Sequence, residues 1–229
     1  MTSSHSSTRE HIKKLTGIAM FMALAYVTMF VFRIKVQGFL TFDAKDAIIT
    51  VGAIAFGPLS GILISLGVAL LEMVTVSDTG IYGFLMNFLS SATFSVTAAL
   101  LYRKGKGIAG ALLALFSSVL VLVATMVLAN LFITPHFMGQ PREVVIALLP
   151  GVLIPFNAIK GMANASLTMA LYKPLSQALS RSGLLPKKEK PYTLTASTVS
   201  VLVGSLLVIA ACLILYFTLF DGFFIKPIS

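Results

Sequence analysis

A series of apolar runs constrains this chain more than any other feature of its sequence. A helix needs about 20 apolar residues to cross the hydrocarbon core of a bilayer, and runs near that size recur through most of the 229 residues. The composition agrees, because 57% of the residues are hydrophobic and 11% are charged, whereas soluble domains hold about 25% charged residues. The sequence therefore predicts an integral membrane protein of the all-α class, a polytopic helix bundle without a separate soluble domain.

The predicted organisation follows from where the apolar runs stop. They cover residues 15–32, 47–56, 59–76, 81–102, 108–133, 151–172 and 194–220, the second being short. A tight turn is expected after the second run, because Gly57 and Pro58 favour one. We predict an N-terminal segment over 1–14, a six-helix membrane domain over 15–172, a basic linker over 173–192, and an additional transmembrane helix with a short tail over 193–229.

The basic residues indicate the orientation in the membrane. The chain has 17 Lys and Arg against 8 Asp and Glu, and a basic excess in a membrane protein usually lies in cytoplasmic loops. With the N-terminus in the cytoplasm, eleven Lys and Arg fall inside and five outside. The charge is therefore explained by topology, and nucleic-acid binding is not expected.

Several chemistries are excluded by the residues available. The three histidines, His5, His11 and His136, fall on two sides of the membrane, so they predict neither a metal cluster nor a Ser-His dyad. The lone cysteine, Cys212, cannot form a disulfide within the chain. A Walker A loop is absent from the sequence, so any ATP hydrolysis must come from a partner. We expect a protein that is not an enzyme and holds no metal.

Polar residues within the apolar runs cluster at one depth. Ionisable groups in hydrocarbon cost several kcal/mol and persist where they face a cavity or pair with one another. At about 1.5 Å of rise per residue, the charged residues and three asparagines of the spans fall in the outer half of the membrane. They are Asp43, Lys45, Asp46, Glu72, Asn87, Asn130, Asn157 and Lys160. The pattern predicts a polar pocket that opens outward and is closed below.

The sixth run carries the clearest part of this signal. Asn157, Lys160 and Asn164 stand at i, i+3 and i+7, so they share one helix face and present hydrogen-bond donors. Such a face suits a ligand with carbonyl or ring-nitrogen acceptors. The alternative is that Lys160 pairs with Glu72 or Asp46 to hold the bundle, and that the asparagines join helices. Pro150 and Pro155 each remove a backbone donor, which predicts a kink where the chain approaches this helix.

Four stretches resemble the substrate-binding S components of energy-coupling-factor (ECF) vitamin transporters, and the riboflavin-specific group most of all. They are Ala19 and Ala23 in an Ala-x-x-x-Ala of the first span, Asp43 to Leu59 with its turn, Met86-Asn87-Phe88, and Pro155 to Lys160 with Asn130 on the preceding span. The resemblance covers roughly residues 9–175. It does not cover the seventh span, since S components usually have six helices.

The resemblance implies uptake of a vitamin, most simply riboflavin or a related flavin, across a prokaryotic cell membrane. In that group the positions of Asn130, Asn157 and Lys160 contact the isoalloxazine ring. Ala19 and Ala23 would dock on a transmembrane coupling protein, which two ATPase subunits drive. The vitamin is the transported ligand, and no cofactor is implied.

Alternatives remain open from the sequence. The ligand could be another small vitamin, such as pantothenate or pyridoxine. The chain could also be a proton-coupled secondary carrier that uses Lys160 with Glu72 or Asp46 as a relay. The seventh span is expected to be an appendage, either facing lipid or seated on the bundle through the small residues Ala196, Ser200 and Gly204.

Overall fold

The structure is a computed structural model that describes residues 2–35, 40–105, 107–185 and 195–220. Within these residues, eight α-helices follow one another. They are α1 (Thr2–Val31), α2 (Lys45–Phe56), α3 (Pro58–Thr75), α4 (Gly80–Lys104), α5 (Ile108–Met138), α6 (Arg142–Leu148), α7 (Ile154–Arg181) and α8 (Ala196–Phe220). A π-helical turn, Leu149–Leu153, joins α6 to α7. The strands β1 (Ile34–Lys35) and β2 (Thr41–Phe42) pair antiparallel, with Ile34 opposite Phe42.

The predicted helical bundle, with a six-helix core and an additional C-terminal helix, is confirmed. Six helical segments are long and apolar enough to cross a membrane, and α8 is one of them. The exception is α2, whose 12 residues rise about 18 Å, well short of a hydrocarbon core about 30 Å thick. The first turn of α2 therefore lies inside the bundle. Nine of the 12 residues of α2 are buried.

The turn between α2 and α3 is as tight as the sequence predicts. Gly57 has a φ of 107° and separates the two helices alone, with Pro58 at the start of α3. A Cβ atom at Gly57 would lie 2.9 Å from Nη2 of Arg103 on α4. Both the positive φ and this close approach favour glycine, so the turn fixes where α2 ends relative to α4.

Two helices extend beyond the apolar runs that predicted them. The first helix begins at Thr2, inside the predicted N-terminal segment, and α7 continues to Arg181 through Pro174, into the predicted linker. Hydropathy marks the part of a helix that lies in lipid, whereas polar helix formers such as Lys, Gln and Ser extend it into water without changing that signal. The described residues between α7 and α8 are therefore 182–185 and 195.

The seventh predicted span, α8, packs on the bundle, but its buried face is not the small-residue stripe that was one of the two alternatives. Ala196, Ser200 and Gly204 are exposed. The buried face carries Thr198, Ser205, Cys212 and Tyr216. These four are spaced by seven, seven and four residues, the heptad-like spacing of a helix that follows its neighbour closely. The buried face mixes small side chains with the large Tyr216, so the small-residue stripe alone did not identify it.

Candidate ligand cleft

Two lysines and three carboxylates form an ion network at the start of α2. Lys160 Nζ on α7 lies 3.0 Å from Oδ2 of Asp43 and 4.0 Å from Oδ2 of Asp46. Lys45 Nζ lies 2.5 Å from Oε2 of Glu72 on α3 and 3.5 Å from Oδ2 of Asp43. All five side chains are at least 94% buried, so removing one partner would leave an uncompensated charge away from water.

Hydrogen bonds from neutral groups complete the network. The hydroxyl of Ser91 on α4 donates to Oδ1 of Asp46. Asn164 on α7 accepts from the backbone N–H of Ala47 at 3.0 Å and donates to the carbonyl of Asp43 at 3.0 Å. The side-chain amide of Asn164 thus connects α7 both to Asp43, just before α2, and to Ala47 in the first turn of α2. The network joins α2, α3, α4 and α7 into the floor of a cleft.

Above this floor is a cleft with about 750 Å³ of atom-free space, its open mouth included. Its lining combines polar groups with flat or flexible apolar side chains. The polar and charged residues are Arg33, Thr41, Glu72, Thr79, Asn87, Ser90, Asn130, Thr134, Asn157 and Lys160. The apolar and aromatic residues are Leu40, Tyr82, Met86, Met126, Ile133, Phe137 and Phe156, together with Gly83. Apolar walls with a few convergent polar groups are typical of small-molecule sites.

The two amides at the centre of the cleft are held in position by their own helices. Asn130 Nδ2 donates to the carbonyl of Met126 at 2.7 Å, and its Oδ1 accepts from the hydroxyl of Thr134 at 2.8 Å. Asn157 Nδ2 donates to the carbonyl of Leu153 at 2.7 Å. Each amide nitrogen carries two hydrogens, so each keeps a second one for a ligand while the first fixes the side chain.

The π-helical turn occurs where the two prolines predict a kink. Pro150 falls within the turn and Pro155 follows just after it, near the start of α7. Neither proline can donate a backbone hydrogen bond, and π-helical turns are rare and frequently lie at functional sites. The structure thus shows an irregular turn at this point, and it directly precedes Asn157 and Lys160.

The structure divides the predicted binding residues into two sets. Those that line the cleft are Glu72, Asn87, Asn130, Asn157 and Lys160. Those that lie beneath it, in the network, are Asp43, Lys45, Asp46 and Asn164. Lys160 and Glu72 belong to both, and they connect the network to the cleft. The predicted docking residues Ala19 and Ala23 are exposed on α1, where another helix can reach them.

Sequence reasoning missed part of the lining. Thr134 and Phe137 follow Asn130 at i+4 and i+7 on α5, so helical periodicity from Asn130 was enough to find them. Tyr82 could have been found as the tilted aromatic partner of Phe137, with ring centroids 6.0 Å apart, only once α4 and α5 were placed together. Thr41 comes from the two-stranded ribbon that β1 and β2 form, and strands of two residues give no periodic signal.

The described residues contain no group of three or more His, Cys, Asp or Glu side chains positioned to hold a metal ion. The carboxylates of the cleft floor are instead engaged by lysines. The arrangement is therefore suited to binding a small organic molecule by hydrogen bonds and apolar contact.

A membrane-embedded helical bundle with an enclosed floor and a cleft at one end defines the class as a multi-pass membrane protein that binds a small ligand. Residues 13–172 match the family model described as the substrate-specific component of ECF transporters. The chain belongs to this family, which comprises substrate-binding components of transporters and not enzymes.

Two known proteins resemble the chain over most of its length. The riboflavin transporter RibU of Staphylococcus aureus (strain TCH60) is 28% identical over 179 residues, which cover 74% of this chain and 93% of that protein. A solved structure described as "Structure and mechanism of the S component of a bacterial ECF transporter" superimposes with a TM-score of 0.64 at 28% identity, covering 74% of this chain and 98% of that one. The fold is therefore that of an S component.

Proposed function

We propose that this S component binds riboflavin in the cleft and delivers it across the membrane. The observation that carries the proposal is the convergence of Asn130, Asn157 and Lys160 on one cleft whose walls hold Tyr82, Phe137 and Phe156. A flat ring system with carbonyl and ring-nitrogen acceptors on one edge satisfies both features, since aromatic faces cover the ring while the donors bind its polar edge. The likeness to a riboflavin transporter supports the same ligand.

The charges around the cleft favour a neutral ligand over an anionic one. Lys160, which would attract a carboxylate, is already paired with Asp43 at 3.0 Å, and Glu72 adds a carboxylate to the lining. The floor network carries three carboxylates against two ammonium groups, and Arg33 adds one positive charge to the lining, so the formal charges around the cleft sum to zero. Riboflavin and pyridoxine are neutral, whereas pantothenate is a carboxylate, and of the two neutral vitamins riboflavin has the larger flat ring for three aromatic walls.

Flavin fluorescence tests the ligand directly. The purified full-length chain is expected to quench the fluorescence of added riboflavin saturably, at a ratio of one flavin per chain, because the ring becomes enclosed by aromatic side chains. Equal concentrations of pantothenate and pyridoxine, added as competitors, should leave the quenching unchanged. Absence of quenching, together with a thermal shift caused by one of the other vitamins, would assign the cleft to that vitamin instead.

We further propose that transport depends on an ATP-driven coupling module, made of a transmembrane coupling protein and two ATPase subunits. With the N-terminus in the cytoplasm, as the basic residues predict, the cleft opens outward and the network closes it toward the inside. Ala19 and Ala23 lie one turn apart on the exposed side of α1. Two small residues at this spacing allow a partner helix to approach closely, which supports docking at this surface.

Enlarging Ala23 should separate transport from binding. In Ala23→Leu, riboflavin binding is expected to stay within about twofold of wild type, because the side chain is on the surface of α1, away from the cleft lining. Uptake with the coupling module should fall at least tenfold, since the bulkier side chain prevents close helix contact. Ala23→Gly keeps the small surface and serves as the matched control. Full uptake by Ala23→Leu would show that docking occurs elsewhere.

The proton-coupled alternative is tested in the same system. Vesicles that contain this chain alone, under a proton gradient, are expected to show no concentrative uptake of riboflavin. Vesicles that also contain the coupling module should accumulate it only when ATP is supplied. Accumulation driven by the gradient alone would replace the ATP-driven mechanism with a secondary one.

A further inference from the structure

The C-terminal helix α8 is an addition relative to the family. The family model matches residues 13–172, and α8 spans Ala196–Phe220. The solved S component is covered over 98% of its length by only 74% of this chain. About a quarter of the chain therefore has no counterpart in that structure, and the role of α8 must be derived from its contacts.

The last two turns of α8 contact the ribbon that precedes α2. The rings of Tyr216 and Phe42 have centroids 5.3 Å apart at an angle of 60°, and both side chains are buried, with 2% and 8% of their surface exposed. Cys212, one turn earlier on α8, is buried in the same apolar cluster. Ile34, the partner of Phe42 across the ribbon, packs against this cluster as well. The strand β2 thus contacts α8 through Phe42, and β1 packs against the same apolar cluster through Ile34.

The residues next to Phe42 belong to the ligand site. Thr41 lines the cleft, and Asp43 forms the 3.0 Å ion pair with Lys160. Phe156 of α7 lies in the cluster with Tyr216 and also lines the cleft. Thr41 and Phe156 line the cleft, and the apolar cluster that contains Phe156, Phe42 and Tyr216 therefore connects this part of the lining to α8.

We propose that α8 positions the ribbon and thereby sets how long the ligand stays in the cleft, with Tyr216 as the positioning residue. Tyr216 fixes Phe42, and Phe42 fixes Thr41 and Asp43 on either side of it. A ligand that contacts Thr41 is held less tightly when this segment moves, and movement of the segment away from α8 breaks the ring contact of Phe42 with Tyr216. This inference rests on the proposed function, since it uses riboflavin as the ligand.

Dissociation kinetics of riboflavin from the full-length chain test the proposal. The complex with riboflavin is diluted far below its dissociation constant, and release is followed by the recovery of riboflavin fluorescence. Tyr216→Ala is expected to raise the dissociation rate constant about tenfold, while the association rate constant changes by less than about threefold. Tyr216→Phe retains the ring that contacts Phe42 and should release riboflavin at the wild-type rate.

Two controls separate positioning from a general loss of stability. Leu215→Ala removes a half-exposed side chain from the adjacent position of α8 and should leave the dissociation rate unchanged. If Tyr216→Ala does not purify as a folded protein, Tyr216→Leu preserves most of the volume without the ring, and it should show the same acceleration. In the double variant Tyr216→Leu with Phe42→Leu, the effects should not add, because both changes remove one contact.

The proposal is overturned if Tyr216→Ala, or Tyr216→Leu in its place, releases riboflavin within twofold of the wild-type rate, whatever its melting temperature. It is also overturned if Leu215→Ala accelerates release as much as the Tyr216 variant does. Failure of the wild-type chain to bind riboflavin would instead contradict the proposed function, so the two ideas fail by different results.

Discussion

Replacing Lys160 with methionine is expected to weaken riboflavin binding about ten- to a hundredfold and to destabilise the fold at the same time. The affinity falls because the ligand loses a charge-assisted hydrogen bond, worth about 1.5–3 kcal/mol. The fold weakens because Asp43, which lies 3.0 Å from Lys160 Nζ, is left as a buried carboxylate without that partner, at a cost of about 3–5 kcal/mol. Fluorescence titration measures the first effect and thermal unfolding the second.

A second substitution separates the two effects. In the double variant Lys160→Met with Asp43→Asn, the buried charge is removed together with its partner, so the melting temperature should recover most of its loss. Riboflavin affinity should stay low, because the ammonium donor is still missing. Recovery of affinity together with stability would show that Lys160 supports the bundle without contacting the ligand, which is the alternative that the sequence left open.

Replacing Lys45 with methionine should destabilise the fold about as much as Lys160→Met, with a smaller effect on binding. Lys45 Nζ pairs with both Glu72 and Asp43, at 2.5 and 3.5 Å, and its side chain is 1% exposed. Removing it leaves Glu72 as a buried carboxylate without its lysine, while Asp43 keeps its pair with Lys160, and the expected loss is about 3–5 kcal/mol. Since Lys45 lies beneath the cleft and not in its lining, the folded fraction should bind riboflavin less than about tenfold more weakly. Thermal unfolding monitored by circular dichroism gives the stability.

The matched control neutralises the carboxylate that faces Lys45. Lys45→Met with Glu72→Gln should be more stable than Lys45→Met alone, because the buried carboxylate that lost its lysine is now neutral. If Lys45→Met unfolds at the wild-type temperature, the network contributes little to stability, and the buried charges must be neutralised by protons instead of by each other. A loss of affinity as large as that of Lys160→Met would place Lys45 in direct contact with the ligand.

The sequence was sufficient to predict the positions of the helices and which residues of one helix share a face, because both depend on local periodicity. The apolar runs mark the spans, and the i, i+3, i+7 spacing places Asn157, Lys160 and Asn164 on one face of α7. It did not settle which carboxylate faces which lysine. The open alternatives paired Lys160 with Glu72 or Asp46, whereas Asp43 lies nearest to Lys160 and Glu72 faces Lys45. Such pairings depend on how far α2 descends into the bundle, which no single segment encodes.

The ribbon of β1 and β2 and the buried face of α8 could not be predicted from the sequence, for a related reason. Strands of two residues produce no alternation to detect, and their position is fixed by Phe42 packing against Tyr216, 174 residues further along the chain. The small residues of α8 suggested a contact face that is exposed in the structure. Side-chain size predicts where helices approach closely, but the partner surface decides which face is used.

The π-helical turn at Leu149–Leu153 has a consequence for the evolution of this site. Each residue in a regular α-helix advances the angle by about 100°, whereas a π-helical turn winds one additional residue into nearly the same total angle. Loss of Gly151 with a return to regular winding would therefore leave the amide and ammonium groups of α7 facing the cleft. Loss of one residue from the regular part of α7 between this turn and Asn157 would instead rotate those groups by about 100°. The π-helical turn is therefore the place in this helix where the chain can gain or lose one residue without changing the direction of its binding groups.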